Sequence, residues 1–274
     1  MDSSHTYDSQ PATRQERLRA WRALPRLLVS RQWRWLTLGV LLIAFGLIRL
    51  GFWQLNRLEQ RHIWNALVAS RIEAQPLPIT GQPLDVAANE YRRVVVTGEY
   101  DPAQEIVLRN RAYQGTAGAD VLTPLHISGS DQYVLIDRGW IPLFQSDQAT
   151  RKQFAAPQGR VTVEGVLRKP QQRVGRFSPL DPQPKSGRLD AWLRPDIARI
   201  ATQMPYPLLP LYIEQLPSPT ATLPRPQLNV DYTNPGPHLS YAVQWFSFAL
   251  IGLCGYAALV VTRTEQLRHA TTNK

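Results

Sequence analysis

The chain has 274 residues, 31 basic against 21 acidic, and one cysteine, Cys254. A single thiol excludes a disulfide within the chain, and one cysteine with two methionines excludes a soft-ligand copper cluster. The net charge of +10 is concentrated at the ends, with +4 in the first 34 residues and +2 in the last 12, so it reads as a topology signal and not as a nucleic-acid footprint.

In chain order, residues 1–34 form a basic tail bearing Arg14, Arg17, Arg19, Arg22, Arg26, Arg31 and Arg34. Residues 35–55, WLTLGVLLIAFGLIRLGFWQL, contain one full charge, Arg49, and as a helix would span roughly 31 Å, the thickness of a bilayer core. Trp33, Trp35 and Trp53 bracket this span as interfacial aromatics do. A cleaved signal peptide is the alternative, but no small-residue cleavage pattern follows the apolar stretch, so the span is expected to stay as an anchor. A second span, Tyr241 to Val261 within a segment 238–262, has no charge and opens on Tyr241 and Trp245. A buried helix of a soluble protein is the competing reading of each. The basic tails at 1–34 and 263–274 place both termini in the cytoplasm and residues 56–237 in the periplasm of a bacterial inner membrane, with the lipid bilayer as a partner.

After the first span, NRLEQRHIWNALVASRIEA lacks Gly and Pro, so the helix should continue until Pro76 and Pro78 stop it. Strand-like runs follow at Arg92–Thr97, Glu105–Arg109, Asp120–Ile127, Tyr133–Ile141, Arg160–Leu167 and Leu211–Gln215. Ser128-Gly129-Ser130-Asp131 reads as a hairpin loop between two of them. Twelve of the 23 prolines fall between Pro170 and Pro226, which predicts irregular surface chain without central strands there. One helix is expected in this stretch, entered by Pro195 and carrying Ile197, Ala198, Ile200 and Ala201. The fold expected is two transmembrane α-helices around an α+β domain dominated by an antiparallel sheet or partly open barrel.

No HExxH, GxSxG, Walker loop or glycine-rich dinucleotide turn occurs, so hydrolase, protease and nucleotide-dependent readings lack a motif. A membrane-anchored periplasmic enzyme or a ligand-sensing domain remains the alternative. Among five histidines, His238 stands apart, because Pro237 precedes it and an apolar helix follows. An imidazole at that interface can ligate haem iron or simply cap the helix start. Arg49 either snorkels to the headgroups or pairs with an anion such as a propionate. Asp137-Arg138-Gly139-Trp140, with Arg109 or Arg111, reads as an anion site or as structural ion pairs beside a packed tryptophan.

The segments LGFWQLNRL (Leu50–Leu58), YRRVVVTGEYDPAQEIVLRNR (Tyr91–Arg111), GADVLTPLHI (Gly118–Ile127) and VLIDRGWIP (Val134–Pro142) occur in this order. FSPLDPQP (Phe177–Pro184), DAWLRPDIARIA (Asp190–Ala201) and PHLSYAVQWFSFA (Pro237–Ala249) follow. With the two-anchor layout, the set resembles the Surfeit locus protein 1 family of cytochrome c oxidase assembly factors. One departure is that Asn234 is separated from His238 by Pro235-Gly236-Pro237, where the family commonly has Asn and a further polar residue just before the histidine. The resemblance implies a non-enzymatic factor that assists delivery or insertion of haem a into the catalytic subunit of a haem-copper oxidase, with haem a synthase as a further partner. It implies His238 as the haem-contacting residue and metal ligand, with Trp53, Gln54, Tyr241 and Trp245 around the cofactor.

Overall fold

The computed structural model describes residues 21–22, 24–173, 175–179, 181, 187–217 and 223–272, with the side chains of 267–272 left aside. The tail arginines Arg14, Arg17 and Arg19, and Pro182 to Pro184 of the Phe177–Pro184 block, lie outside the described residues. The chain forms two compact units, residues 64–234 and a second made of residues 1–63 with 235–274.

The first long helix, α1, runs Arg34–Glu73 without a break and stops before Pro76, whose ring cannot continue it. Eight strands follow: β1 (Leu77–Pro78), β2 (Arg93–Tyr100), β3 (Ile106–Tyr113), β4 (Thr116–Ile127), β5 (Tyr133–Pro142), β6 (Arg160–Arg168), β7 (Ala191–Trp192) and β8 (Leu208–Gln215). A short helix, α2 (Ile197–Ala201), precedes β8, with Asp196 accepting the Arg199 N–H as its N-cap. The last helix, α3, runs His238–Thr272.

Strands β2, β6, β8, β5 and β4 close into a ring, because β2 pairs with β6 on one side and, through Gly98–Tyr100, with β4 on the other. The barrel is therefore closed, not partly open. A ring with an odd number of strands cannot alternate direction all the way round, and the necessary parallel pair is β5–β8. The other four pairs are antiparallel. The proline-based expectation fails at β8, which carries Pro210 yet lies between β5 and β6. Pro210 is tolerated because it falls at a register shift against β5, between the pairs Tyr133↔Leu208 and Leu135↔Tyr212, and ahead of the β6 pairing that begins at Tyr212. Pro124 in β4 works similarly: its carbonyl accepts the Asp101 N–H, so the missing donor points to the side where β4 changes neighbour from β3 to β2.

Alternate residues of the strands fill the barrel, among them Val94 and Val96, Leu125 and Ile127, Val134 and Ile136, and Leu211 and Ile213. The intervening residues of β5 and β8, Leu135 and Tyr212, are also buried, under Trp192 and the α2 residues Ile197 and Ile200. Burial on both faces explains why VLIDRGWI reads as a continuous run and not as an alternating one.

Three carboxylates are buried together in the domain, Asp120 on β4, Asp137 on β5 and Glu214 on β8. Asp137 and Glu214 are register partners in the parallel pair. Two arginines face them: Arg111 Nε lies 3.0 Å from Asp120, and Arg168 donates to Glu214 at 2.7 Å. Asn229 Nδ2 lies 3.4 Å from both Asp120 and Glu214. Three acids against two cations leave one charge uncompensated, so one proton should reside here. Burial, reinforced by the neighbouring carboxylates, pushes Asp137 well above the carboxylate range. Burial also raises Asp120, to about 6, against the opposing pull of Arg111. Arg138 turns to Glu105 at 3.1 Å, and Trp140 is 6% exposed, so the Asp137–Trp140 segment of β5 holds a buried acid, an internal ion pair and a packed ring.

A raised carboxyl pKa means that the folded state holds a proton more tightly than the unfolded chain, so stability grows as pH falls through about 6 toward the ordinary value of 3.8. Denaturant titrations of the detergent-solubilised chain, followed by tryptophan fluorescence, should show wild type gaining stability over Asp120→Asn between pH 7 and pH 5. At pH 7, Asp137→Asn should alter stability by less than about 1 kcal/mol, since burial already disfavours the carboxylate there and the amide brings no charge to the site. Arg168→Leu strands Glu214 as a buried charge and should cost about 3–5 kcal/mol.

Candidate functional site

Two helices, Arg34–Glu73 and His238–Gln266, are long and apolar enough to cross a membrane. Their apolar stretches run antiparallel, as the contacts establish: Thr37 of α1 meets Tyr256 of α3, and Gln54 of α1 meets His238 of α3. Seventeen residues separate the two contacts along α1, about 26 Å, so a polar clamp stands near each end of a bilayer-sized apolar length. At one clamp the Thr37 hydroxyl lies 2.6 Å from the Tyr256 hydroxyl and 2.8 Å from the Leu28 carbonyl. Thr37 can donate to the carbonyl while accepting from the tyrosine, which satisfies both hydroxyls. Between the clamps Gly51 lets α3 approach closely: a Cβ there would stand 2.6 Å from the Phe246 ring, which also meets Phe52 edge-on.

The other clamp is built at the first residue of α3. Gly236 takes φ +82°, and Pro237 leads into the helix, its carbonyl accepting the Tyr241 N–H at 3.2 Å and the Ser240 hydroxyl at 2.8 Å. This turn sets His238 half-buried, with Nδ1 2.8 Å from Gln54 Oε1. On the other edge of the ring, Nε2 faces Gly236, where an added Cβ would lie 3.5 Å away. The sequence placed Gln54 among residues around a cofactor, whereas its side chain reaches the histidine itself. The signal for that contact was a polar residue three positions from Gly51, on the helix face turned to α3.

Tyr241 and Trp245 lie within about 60° of His238 around α3. Tyr241 is 46% exposed, and Trp245 is half-buried, edge-on to Phe248 at 6.2 Å. Trp53 points elsewhere, about 200° round α1 from Gly51 and 52% exposed. The structure thus brings His238 and Gln54 into contact, puts Tyr241 and Trp245 on the histidine's side of α3, and sets Trp53 on another face of α1. Arg49 is exposed on α1. Among the described residues, no cluster of three or more His, Cys, Asp or Glu side chains is arranged to hold a bare metal ion.

The barrel domain has two open clefts, of about 430 Å³ beside Ile79, Leu209 and Leu211 and about 410 Å³ beside Tyr100 and Arg138. In the second, the Arg138 guanidinium is already engaged by Glu105 and the Phe154 carbonyl.

Two helices long and apolar enough to cross a membrane, joined through a closed five-stranded barrel domain and carrying a histidine at the start of the second helix, define a barrel protein with two candidate membrane spans. The model of the SURF1 family matches residues 41–250, a segment that covers most of the first apolar stretch, the whole barrel and the start of the second apolar stretch. The chain belongs to the SURF1 family. It is 28% identical over 238 residues to a SURF1-like protein of Monosiga brevicollis, covering 82% of this chain and 86% of that one. An uncharacterized SURF1-like protein of Mycobacterium bovis is 26% identical over 262 residues, 89% of this chain and 91% of the relative. Surfeit locus protein 1 of Rattus norvegicus is 30% identical over 149 residues, 49% of this chain and 47% of its own length.

The Thr37–Tyr256 clamp is open to a double-mutant cycle with Thr37→Ala and Tyr256→Phe, read as unfolding free energy in mixed micelles. The expected coupling is about 0.6 kcal/mol, the usual value for a hydrogen bond between helices in lipid. A coupling near zero would mean that apolar packing alone joins these helices at that end.

Proposed function

We propose that this protein is an assembly factor for a haem-copper cytochrome c oxidase, assisting delivery or insertion of haem a into the catalytic subunit. Family membership supports the process. The observation that carries the chemistry is His238, an imidazole fixed at the first turn of an apolar helix with one ring nitrogen engaged and the other facing a glycine. The donor set fits a haem: a histidine nitrogen is a common axial ligand, and the exposed Tyr241 ring offers an apolar surface one turn further along α3. When bound, the haem would supply an iron centre in transit to its final site. This chain's residues would hold that iron at His238 and cover part of the macrocycle with Tyr241 and Trp245. Transfer to the catalytic subunit requires the histidine contact to be weak enough to release, which a single protein ligand at an exposed helix end allows.

The basic residues flanking both apolar stretches support a topology with both ends cytoplasmic and the barrel domain periplasmic in a bacterial inner membrane. With Cys254→Ser as background, a membrane-impermeant maleimide should label Gln158→Cys in intact cells and Lys274→Cys only after permeabilisation. The reverse pattern would overturn the orientation.

The function is tested by co-expression with the enzymes of haem a synthesis, followed by the haem-to-protein ratio of the purified chain and the haem a content of the oxidase in cells lacking it. His238→Ala should lose at least tenfold in bound haem, with stability changed by no more than about 1 kcal/mol, the worth of a helix cap. A variant with full haem and an unshifted spectrum would exclude His238 as a ligand.

A further inference from the structure

We infer that Gln54 is the positioning residue that fixes which nitrogen of His238 carries the proton, and so presents Nε2 with its lone pair to an incoming metalloporphyrin. This inference rests on the haem reading above.

A neutral imidazole has one protonated nitrogen and one bare one, and only the bare one can bind iron. Two tautomers of comparable energy are available to a free histidine. The structure sets the amide oxygen of Gln54 2.8 Å from Nδ1, an acceptor that only an Nδ1–H can satisfy. With the amide in this orientation Nδ1 is the donor, and Nε2 is left as the bare nitrogen. The alternative tautomer would need the amide turned over, with its NH₂ donating to a bare Nδ1, so the tautomer follows the orientation in which Gln54 is held.

Two further observations belong to the same arrangement. Gly51, one helical turn before Gln54, allows the close approach to Phe246 that holds the two helix faces together near the amide and the imidazole. Gly236, with φ +82°, lies against the Nε2 edge and brings no side chain of its own to it; a Cβ there would stand 3.5 Å from that nitrogen. One side of the ring is held by an amide and the other faces a glycine, which is the arrangement expected of a metal-binding imidazole whose orientation is set by its partner.

The test uses the full chain in lipid nanodiscs, with ¹⁵N-labelled histidine, first without any porphyrin. The His238 ring signals, identified by their loss in His238→Asn, should show a protonated Nδ1 and a bare Nε2 in the wild type. In Gln54→Leu they should show a mixture of both tautomers. Hemin is then titrated as the probe. Gln54→Leu should bind it roughly 10–100-fold more weakly, the usual cost of losing such a partner. Gln54→Glu should retain binding and lower the reduction potential of the iron, because an anionic acceptor makes the imidazole a stronger electron donor. A bare Nδ1 in the wild type, or tautomers and hemin affinity unchanged in Gln54→Leu, would overturn the inference. Failure of the wild type to bind hemin, with the tautomer shift present, would refute the haem reading while leaving Gln54 as the residue that sets the imidazole.

Discussion

A five-stranded sheet can close only if one of its neighbouring pairs runs parallel, and much of the barrel domain follows from that constraint. The parallel pair here is β5–β8, and parallel neighbours need a long connection between them. The chain between Pro142 and Leu208 meets that need by carrying β6, β7 and α2, the last two of which cover the outer face of the same pair. Further along the pair Asp137 and Glu214 are buried beside Asp120, where Asn229, from the chain after β8, reaches Asp120 and Glu214, and Arg111 and Arg168 meet the charge from within.

The helix pair solves a different problem, because no hydrophobic driving force holds two helices together in lipid. Close packing at Gly51 and the two polar clamps supply what is missing. Each clamp satisfies its polar groups within the pair, which is the condition for placing hydroxyls, an amide and an imidazole near an apolar medium. At the His238 end the Gln54 amide engages one ring nitrogen, and on the proposed haem reading the other is the one offered to the ligand.

Much of this architecture was legible in the sequence because its signals are local. Apolar length marked both helices, the absence of Gly and Pro marked the continuation of α1 to Glu73, and six β-branched runs marked six of the eight strands within a few residues. The Ser128–Asp131 loop and the α2 segment were local signals too. What escaped was set by neighbours. β1 and β7 are two residues each, too short to show alternation, and exist because β2 and β3 offer them an edge. Pro210 argued against a central strand, yet the register shift beside it removes the hydrogen bond it lacks. Ring closure depends on three residues of β2 meeting the end of β4, a contact between segments far apart that no run of residues announces.

The candidate site divides along the same line. His238 stood out by position, a lone imidazole between Pro237 and an apolar helix, and that is a local signal. The partner that meets its Nδ1 lies 184 residues earlier in the chain and looks, in sequence, like one more polar residue at the end of a span. Trp53, its neighbour in the same motif, is turned to a different face, although the two residues are adjacent in sequence. A helix separates consecutive residues by about 100°, so a short motif on one helix can serve two surfaces at once. In this chain the Gly51-Phe52-Trp53-Gln54 segment does so: Gly51 and Gln54 serve the contact with α3, Phe52 meets Phe246, and Trp53 is left as an exposed interfacial ring. The density of that motif thus follows from crowding helix approach, a contact with the imidazole, an aromatic pair and an exposed tryptophan into little more than one turn.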